Sequence, residues 1–431
     1  SRRQARHAGV PAPGDLSRSV RTRAIVTLAA LSAVLLVGAA CTRDGPGTDG
    51  GDASPGGGLS TPGMHRIDPP PLGARHGEAR ALAGDQLLVW GGQTAENSME
   101  GRTLGDGAVL DVRTGRWSRV DPSPFPHGLF SPAAAFDGVE VVVVGTECDE
   151  TIPAPTLGVP PECRGPAAAA WDPTDGSWRR LTAPPLTTGS LGVPGFSPSV
   201  QTAGGDGRAV FVDTYPLRSI AWDRRDGSWT TVDPPVDVRA DAWSWPCADP
   251  SRPWVVAIGA ADDPGVQLLA VLRPDGSSWT TPVRSDAPGD ASSCGGGRVV
   301  TSGWDGLTAV GSVIDPLTGA TESAFEGGSD TPTQAAASGE WMFVRSADLT
   351  IAESTTTAAG PAAGPELRTD RPTTSVRLLP DGPLVPAGTR SNLFGLTGRS
   401  ASYVGTGIVM CELALPDRCR MWVPPAAATA G

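Results

Sequence analysis

Lysine is absent from the 431-residue sequence, and tyrosine and histidine are rare, with two and four residues respectively. The seven cysteines include no Cys-x-x-Cys pair, which, together with so few histidines, argues against a zinc site. No Asp-x-Asp-x-Asp-Gly segment is present, which argues against a calcium loop of the EF-hand kind. From these absences we expect no bound metal and no other cofactor.

Positive charge is also scarce. The formal net charge is −12, and the first 40 residues hold six arginines and one aspartate, so the rest of the chain carries −17. A surface this acidic repels nucleic acids and anionic lipid headgroups. We therefore expect no nucleic-acid partner.

One long hydrophobic run is present, at residues 24–40, and it follows Arg18, Arg21 and Arg23 and ends directly before Cys41. A charged region, an apolar region and small residues before a cleavage point are typical of a secretory signal. The small residues ending in Cys41 resemble the lipobox of bacterial lipoproteins. This resemblance implies that residues 1–40 are an extension and signal peptide, and that lipid on Cys41 holds the protein at the outer side of the cytoplasmic membrane. The alternative is an uncleaved membrane-spanning helix.

The residues that follow Cys41 are almost free of large apolar side chains. Residues 41–63 are rich in Gly, Asp and Ser, a composition that cannot bury enough surface to order itself. The sequence therefore predicts a disordered tether between the lipid anchor and the folded part of the chain.

The odd number of cysteines is explained if Cys41 carries lipid, which leaves six that can pair in 15 ways. Their places in the repeat described below favour one set of disulfides. The predicted pairs are Cys148 with Cys163, Cys247 with Cys294, and Cys411 with Cys419.

A repeated hairpin organises the remainder. Residues 109–117, 170–181 and 221–229 each contain an apolar stretch, an Asp-x-x-Thr/Asp-Gly turn and a second stretch that opens on Trp. The chain contains 56 Gly and 43 Pro, which indicates many turns and few helices. Comparable Gly or Asp turns recur every 43 to 69 residues.

Four short strands in each repeat of about 40 to 50 residues are typical of a propeller blade. The Gly91-Gly92 doublet, the Asp-Pro-x-x-Gly-x-Trp turns and the Pro-rich tails resemble Kelch repeats and galactose oxidase-like proteins over residues 64 to about 285. We predict an all-β propeller over residues 64–425, followed by a C-terminal tail at 426–431. Seven four-stranded blades are expected, with six as the alternative, and pairing of the N- and C-terminal strands is expected to close the ring.

The resemblance does not extend to the copper-radical site of galactose oxidase. That site needs two Tyr, two His and a Cys cross-linked to a Tyr, whereas this chain has only Tyr215 and Tyr403, and every cysteine outside the lipobox has a predicted disulfide partner. The Asp-Gly-Trp turns resemble the Asp-box of sialidases, but we interpret them as structural turns between outer strands. Arg75 and His76 are interpreted as a pair that orders a loop by hydrogen bonding.

Four tryptophans are candidate ligand contacts: Trp243, Trp245, Trp304 and Trp341. Indole faces at the mouth of a propeller suit a sugar or another flat apolar ligand, while packing between blades is the alternative interpretation. The functional hypothesis is a binding or scaffold module for an envelope component, which would be a glycan, a protein or a small solute. The alternative hypothesis is a carbohydrate-active enzyme with acidic residues at the funnel.

Overall fold

A computed structural model describes much of the chain beyond residue 58. The described residues are 59, 61–94, 102–148, 163–185, 201–214, 217–235, 245–249, 254–260, 266–273, 276–287, 291–305, 308–326, 333–338, 341–346, 349–351, 367–369, 373–378, 385–388, 401–403, 407–411 and 419–423. The chain divides into two compact units, residues 1–52 and 53–431, and every described residue belongs to the second. Cys41 and the predicted signal lie outside the described residues.

All regular structure in the described residues is β-strand. The strands in the first half are β1 (Gly63–Arg66), β2 (Arg75–His76), β3 (Ala79–Ala83), β4 (Gln86–Trp90), β5 (Gln93–Thr94), β6 (Gly107–Asp111), β7 (Arg116–Arg119), β8 (Leu129–Phe136), β9 (Val141–Cys148), β10 (Cys163–Trp171), β11 (Trp178–Arg180), β12 (Gln201–Gly205), β13 (Arg208–Thr214), β14 (Leu217–Asp223) and β15 (Ser228–Val232). Those in the second half are β16 (Trp245–Asp249), β17 (Trp254–Ala260), β18 (Gln267–Leu272), β19 (Val283–Ser285), β20 (Ala291–Gly295), β21 (Arg298–Asp305), β22 (Thr308–Ile314), β23 (Thr321–Glu326), β24 (Thr333–Ser338), β25 (Trp341–Ser346), β26 (Leu349–Ile351), β27 (Leu367–Thr369), β28 (Thr373–Leu378), β29 (Val385–Gly388), β30 (Ala401–Tyr403), β31 (Ile408–Cys411) and β32 (Cys419–Val423).

Twenty-eight of these strands form antiparallel four-stranded sheets, numbered here by position in the chain, and the other four form the two-stranded sheets β2-β5 and β26-β27. Six sheets each use one stretch of chain, and their strand orders are sheet 1 (β3-β4-β6-β7), sheet 2 (β8-β9-β10-β11), sheet 3 (β12-β13-β14-β15), sheet 4 (β16-β17-β18-β19), sheet 5 (β20-β21-β22-β23) and sheet 6 (β24-β25-β28-β29). A further four-stranded sheet, sheet 7, has the order β30-β31-β32-β1 and combines strands from both ends of the described chain. In it Gly63 of β1 lies opposite Val423 of β32.

The turn between the third and fourth strands shows why Asp and Gly recur. In sheet 1 the Asp111 carboxylate accepts hydrogen bonds from the backbone N–H groups of Arg113 and Thr114, and the Gly115 N–H donates to the Asp111 carbonyl. Gly115 has φ +69°, a left-handed conformation that glycine adopts without a Cβ penalty. Sheets 2, 3 and 5 repeat this backbone bond between Asp and Gly. The Asp-Gly turns are therefore structural elements of the hairpin.

Apolar side chains fill the space between neighbouring sheets, and inner strands such as β4 and β9 pack against a neighbour on each face. Leu87 and Val89 of β4 are buried against sheet 7, whereas Leu88 and Trp90 of the same strand are buried against sheet 2. Since successive side chains of a strand point to opposite faces, a sheet that is covered on both faces needs a continuous apolar run. Further buried clusters join sheet 2 to 3, 3 to 4 and 4 to 5.

The first strands of successive sheets also contact one another, in the order β30, β3, β8, β12, β16, β20 and β24. Sheets that pack face to face while their first strands share a centre form a β-propeller. The predicted fold class is therefore correct at the level of an all-β propeller of four-stranded antiparallel sheets.

Strand direction sorts the connections to two sides of the propeller. Connections from the first to the second strand, such as 84–85, and from the third to the fourth, such as 112–115, emerge at one end of each sheet, which we call the tight-turn side. Connections from the second to the third strand, such as 91–106 and 149–162, and from one sheet to the next, such as 181–200, emerge at the opposite end, which we call the long-loop side.

Candidate functional site

A buried arginine orders part of the long-loop side. Arg75 is 1% exposed and lies in β2, in the connection that enters sheet 1. Its Nη1 and Nη2 atoms donate to the two carboxylate oxygens of Asp106 at 3.0 and 3.1 Å. Nη1 also donates to the Gly91 carbonyl at 3.1 Å, and Nε donates to the Gly73 carbonyl at 3.1 Å. One guanidinium thus joins the entering connection to both ends of the 91–106 loop.

The glycine doublet makes this arrangement possible. Gly91 and Gly92 have φ values of +72° and +88°, which disfavour other residues. A Cβ on Gly92 would lie 2.7 Å from the His76 carbonyl oxygen, so any side chain there would force β2 away from the loop. Beyond the doublet, His76 pairs with Gln93 in the small β2–β5 sheet. The prediction that Arg75 and His76 order a loop is confirmed for Arg75 by its hydrogen bonds.

Cysteines occupy the bases of two other loops on this side. Cys411 ends β31 and Cys419 opens β32; they are register partners and form a disulfide with Cα atoms 4.2 Å apart. Cys148 ends β9 and Cys163 opens β10, again as register partners. Cys148 is disulfide-bonded. The loops 412–418 and 149–162 therefore both emerge between paired cysteine positions.

The third predicted cysteine pair connects two sheets rather than one loop. Cys247 of β16 and Cys294 of β20 form a disulfide with Cα atoms 5.7 Å apart. Because β16 and β20 are the first strands of sheets 4 and 5, this bond joins neighbouring sheets close to the common axis.

The four candidate tryptophans are not brought to one place. Trp245 opens β16, a first strand, and Trp304 lies one residue before the end of β21, a second strand, so the backbone places both at the long-loop side. Trp341 opens β25, also a second strand, and its backbone lies at the tight-turn side. Trp243 lies outside the described residues.

Another set of tryptophans has a structural role that the repeat makes visible. The indole N–H groups of Trp117, Trp178 and Trp229 donate to the carbonyls of Asp68, Asp121 and Thr182, at 2.8, 3.1 and 2.9 Å. Each acceptor lies in the tail that leaves the preceding sheet. The tryptophan at the first or second position of each of these fourth strands therefore links one sheet to the tail of the preceding one.

A cleft of about 320 Å³ lies between β7 of sheet 1 and the 172–177 turn of sheet 2. Its lining includes Asp111, Arg119, Trp171 and Asp175. Hydrogen bonds from the Ser177 side chain and backbone lower the pKa of the exposed Asp175 carboxyl. Among the described residues, no three His, Cys, Asp or Glu side chains are grouped so as to hold a metal ion. The cleft therefore offers separate polar contacts rather than a metal site.

Asp106 is the functional-site residue that sequence reasoning missed. It lies 31 positions from Arg75, in a connection with no local pattern, and only the path of the loop brings the two together. Its sole sequence signal is its position directly before the apolar strand β6.

Within the described part of the chain, no helix has the length and apolar character to cross a membrane.

Comparison with known proteins gives no family. No protein-family model matches the chain. No curated protein matches it. The solved structures to which the chain is similar include YCF48 bound to D1 peptide (10% identity, 85% of this chain and 97% of that chain, TM-score 0.44), YjhT (12% identity, 74% and 99%, TM-score 0.39), and a protein of unknown function from Dyadobacter fermentans DSM 18053 (12% identity, 74% and 100%, TM-score 0.34). The propeller fold itself is established by the sheet order and the contacts between first strands.

Proposed function

We propose that the protein is a lipid-anchored, extracytoplasmic Kelch-like propeller that binds an envelope component through its long-loop side. One observation carries the proposal: loops on that side are fixed at their bases, by the Arg75–Asp106 ion pair in sheet 1 and by the Cys411–Cys419 disulfide in sheet 7. Fixing a loop in advance reduces the entropy lost on binding, which is the usual reason for rigid scaffolds under recognition loops.

The cysteines support the proposed location. Disulfides persist in oxidising compartments outside the cytoplasm, and the Cys247–Cys294 and Cys411–Cys419 bonds are consistent with such a location. We further propose that Cys148 pairs with Cys163 and that Cys41 carries the lipid. Replacing Cys41 by Ala should release the protein into the soluble fraction of lysed cells. Retention in the membrane fraction would instead favour a spanning helix at 24–40.

We propose seven blades, with sheet 7 closing the ring by joining β1 to β32. The pairing of β1 with β32 and the packing of sheet 7 on sheet 1 support this closure. Completion requires sheet 6 to lie against sheet 7. A photo-cross-link from benzoylphenylalanine placed in β24 to residues of β30 in the monomer would support the ring. Its absence, when the same probe in β24 does cross-link to β20, would contradict it.

The ligand contacts are proposed to include Trp245 and Trp304, which lie near the long-loop ends of sheets 4 and 5, together with Trp243. A glycan array and an array of envelope proteins should be probed with the wild type, with Trp245→Ala and with Trp304→Ala. Trp341→Ala is the matched control, because its backbone lies at the tight-turn side. Loss of a signal in the first two variants alone supports the proposal. Equal loss in all three, or hydrolysis of an array glycan, contradicts it.

A further inference from the structure

The point at which the chain enters the propeller indicates which side of the propeller faces the membrane. We propose that the anchor holds the tight-turn side toward the membrane and that the long-loop side is presented away from it, to partners located farther out in the envelope. This inference rests on the proposed function, since it takes the segment before residue 42 to be the membrane anchor.

The first support is strand direction in sheet 7. Gly63, the first residue of β1, lies opposite Val423, the last residue of β32. In sheets 1, 2, 3 and 5 the corresponding position is occupied by the Asp-Gly turn that joins the third strand to the fourth. The chain therefore enters at the end of sheet 7 where the other sheets have their tight turns.

The second support is the contact made by Leu59, which precedes β1. A Cβ built on Gly115 would lie 3.2 Å from the Leu59 side chain, so Leu59 lies directly over the tight turn of sheet 1. Leu59 also packs on the buried cluster between sheets 7 and 1. Just before β1, the Thr61 carbonyl lies 2.6 Å from Nε2 of His65, which is itself in β1. These contacts keep the entering segment at the tight turn rather than letting it pass to the opposite side.

The distance to the membrane is limited by the length of the connection. Residues 42–58 separate Cys41 from Leu59, a segment that spans at most about 60 Å when fully extended. Loops on the long-loop side lie farther from the entry point by the length of a strand, roughly 20 Å. A partner in the plane of the membrane would meet the tight turns first, while a partner farther out would meet the loops.

Energy transfer to a lipid dye tests this orientation on the full chain. A donor dye is placed through azidophenylalanine at Leu317, which is 48% exposed in the tight turn of sheet 5, or at exposed Arg102 in the 91–106 loop. The purified protein is reconstituted into phosphatidylcholine vesicles that contain an acceptor-labelled lipid. Transfer from position 317 should exceed transfer from position 102 by about twofold, because the two sides lie roughly 20 Å apart.

A second tight-turn position, Val139 at 43% exposure, checks that the result belongs to the side and not to one residue. Equal transfer from positions 317 and 102, or greater transfer from position 102, would overturn the orientation. Vesicle flotation separates this outcome from failure of the anchor: protein that does not float with the vesicles contradicts the proposed lipid attachment and the orientation together. Protein that floats but shows the reverse transfer order contradicts the orientation alone.

Discussion

At the scale of single residues, Arg75 shows how much one buried side chain can order. Its guanidinium satisfies an ionised carboxylate and two carbonyl groups, and removing it would leave those acceptors without their donor. Losing one partner of a buried pair costs more than the pair contributes, because the remaining group keeps its desolvation cost.

Arg75→Ala should therefore lower the free energy of unfolding by about 2 to 3 kcal/mol, less than for a fully buried pair because Asp106 is 43% exposed. Arg75→Lys should recover only part of this loss, since an ammonium group cannot make the bidentate contact. The matched control is Arg113→Ala, whose ion pair with Asp85 is exposed and should contribute less than about 0.5 kcal/mol. Urea unfolding gives the free energy of unfolding of all three variants. Equal losses for Arg75→Ala and Arg113→Ala would contradict the stabilising role of the Arg75–Asp106 pair.

The Asp223 carboxyl makes the free energy of unfolding depend on pH, with greater stability when the carboxyl is ionised. Partial burial acts to raise the pKa of this carboxyl, but hydrogen bonds from the Arg225 backbone and from Arg208, with the charge of Arg208, lower it overall. A carboxyl whose pKa is lower in the folded state adds stability above its unfolded pKa of about 3.9, and this contribution disappears as the pH falls through the lower folded value.

Asp223→Asn should consequently lower the free energy of unfolding by about 2 kcal/mol at neutral pH, because charge-assisted hydrogen bonds to Arg208 are weakened. The difference from wild type should shrink as the pH falls below the normal carboxyl range. Denaturant unfolding at several pH values measures this, with the exposed Asp85→Asn as control. A difference that stays constant with pH would show that Asp223 acts through packing alone.

At the scale of elements, the repeat could be predicted well and the loops could not. The hairpins around Gly115, Gly176 and Gly227 depend on local turn chemistry, so the spacing of their Asp and Gly residues predicts them from the sequence. The valines at 141–144 form a continuous run because each faces one of two neighbouring sheets, a pattern that indicates a strand covered on both faces. In contrast, the pairing of Arg75 with Asp106 depends on a loop path that no periodicity encodes.

The disulfides allow an element-scale comparison. The Cys247–Cys294 bond closes a segment with a sequence separation of 47, and the Cys411–Cys419 bond one of 8. Restricting the unfolded chain stabilises more for the longer segment, by about 4 against about 2.5 kcal/mol.

The paired variant Cys247→Ala/Cys294→Ala should thus lower the denaturation midpoint more than Cys411→Ala/Cys419→Ala. Paired substitutions are needed so that no free thiol remains to form new disulfides. Guanidinium unfolding of both variants beside the wild type gives the comparison. If the order is reversed, strain or packing at the sheet 7 loop outweighs chain entropy.

At the scale of the whole molecule, β1 covers the outer edge of sheet 7. A chain that begins at residue 67 would leave β32 with an open edge, whereas a chain that begins at residue 59 would keep it covered. Open edges promote association with other chains.

The shorter chain should melt at a lower temperature and should elute as larger species in gel filtration, while the longer chain should behave as the wild type does. Addition of a synthetic peptide of residues 59–72 should restore both properties. Identical behaviour of the two chains would show that β1 does not contribute to the stability of the sheet.

Leu87 and Leu88 are neighbours in sequence but belong to different interfaces, the first facing sheet 7 and the second facing sheet 2. Sheets 1 to 4 cannot each detach alone, because the departure of any one of them would uncover apolar surface on both flanking sheets as well as its own. We expect heat or denaturant to unfold the described domain in a single cooperative transition, and calorimetry should give one peak rather than a series. Among related sequences, replacements at Leu87 should therefore be accompanied by compensating replacements in sheet 7. Replacements at Leu88 should be accompanied by compensating replacements in sheet 2.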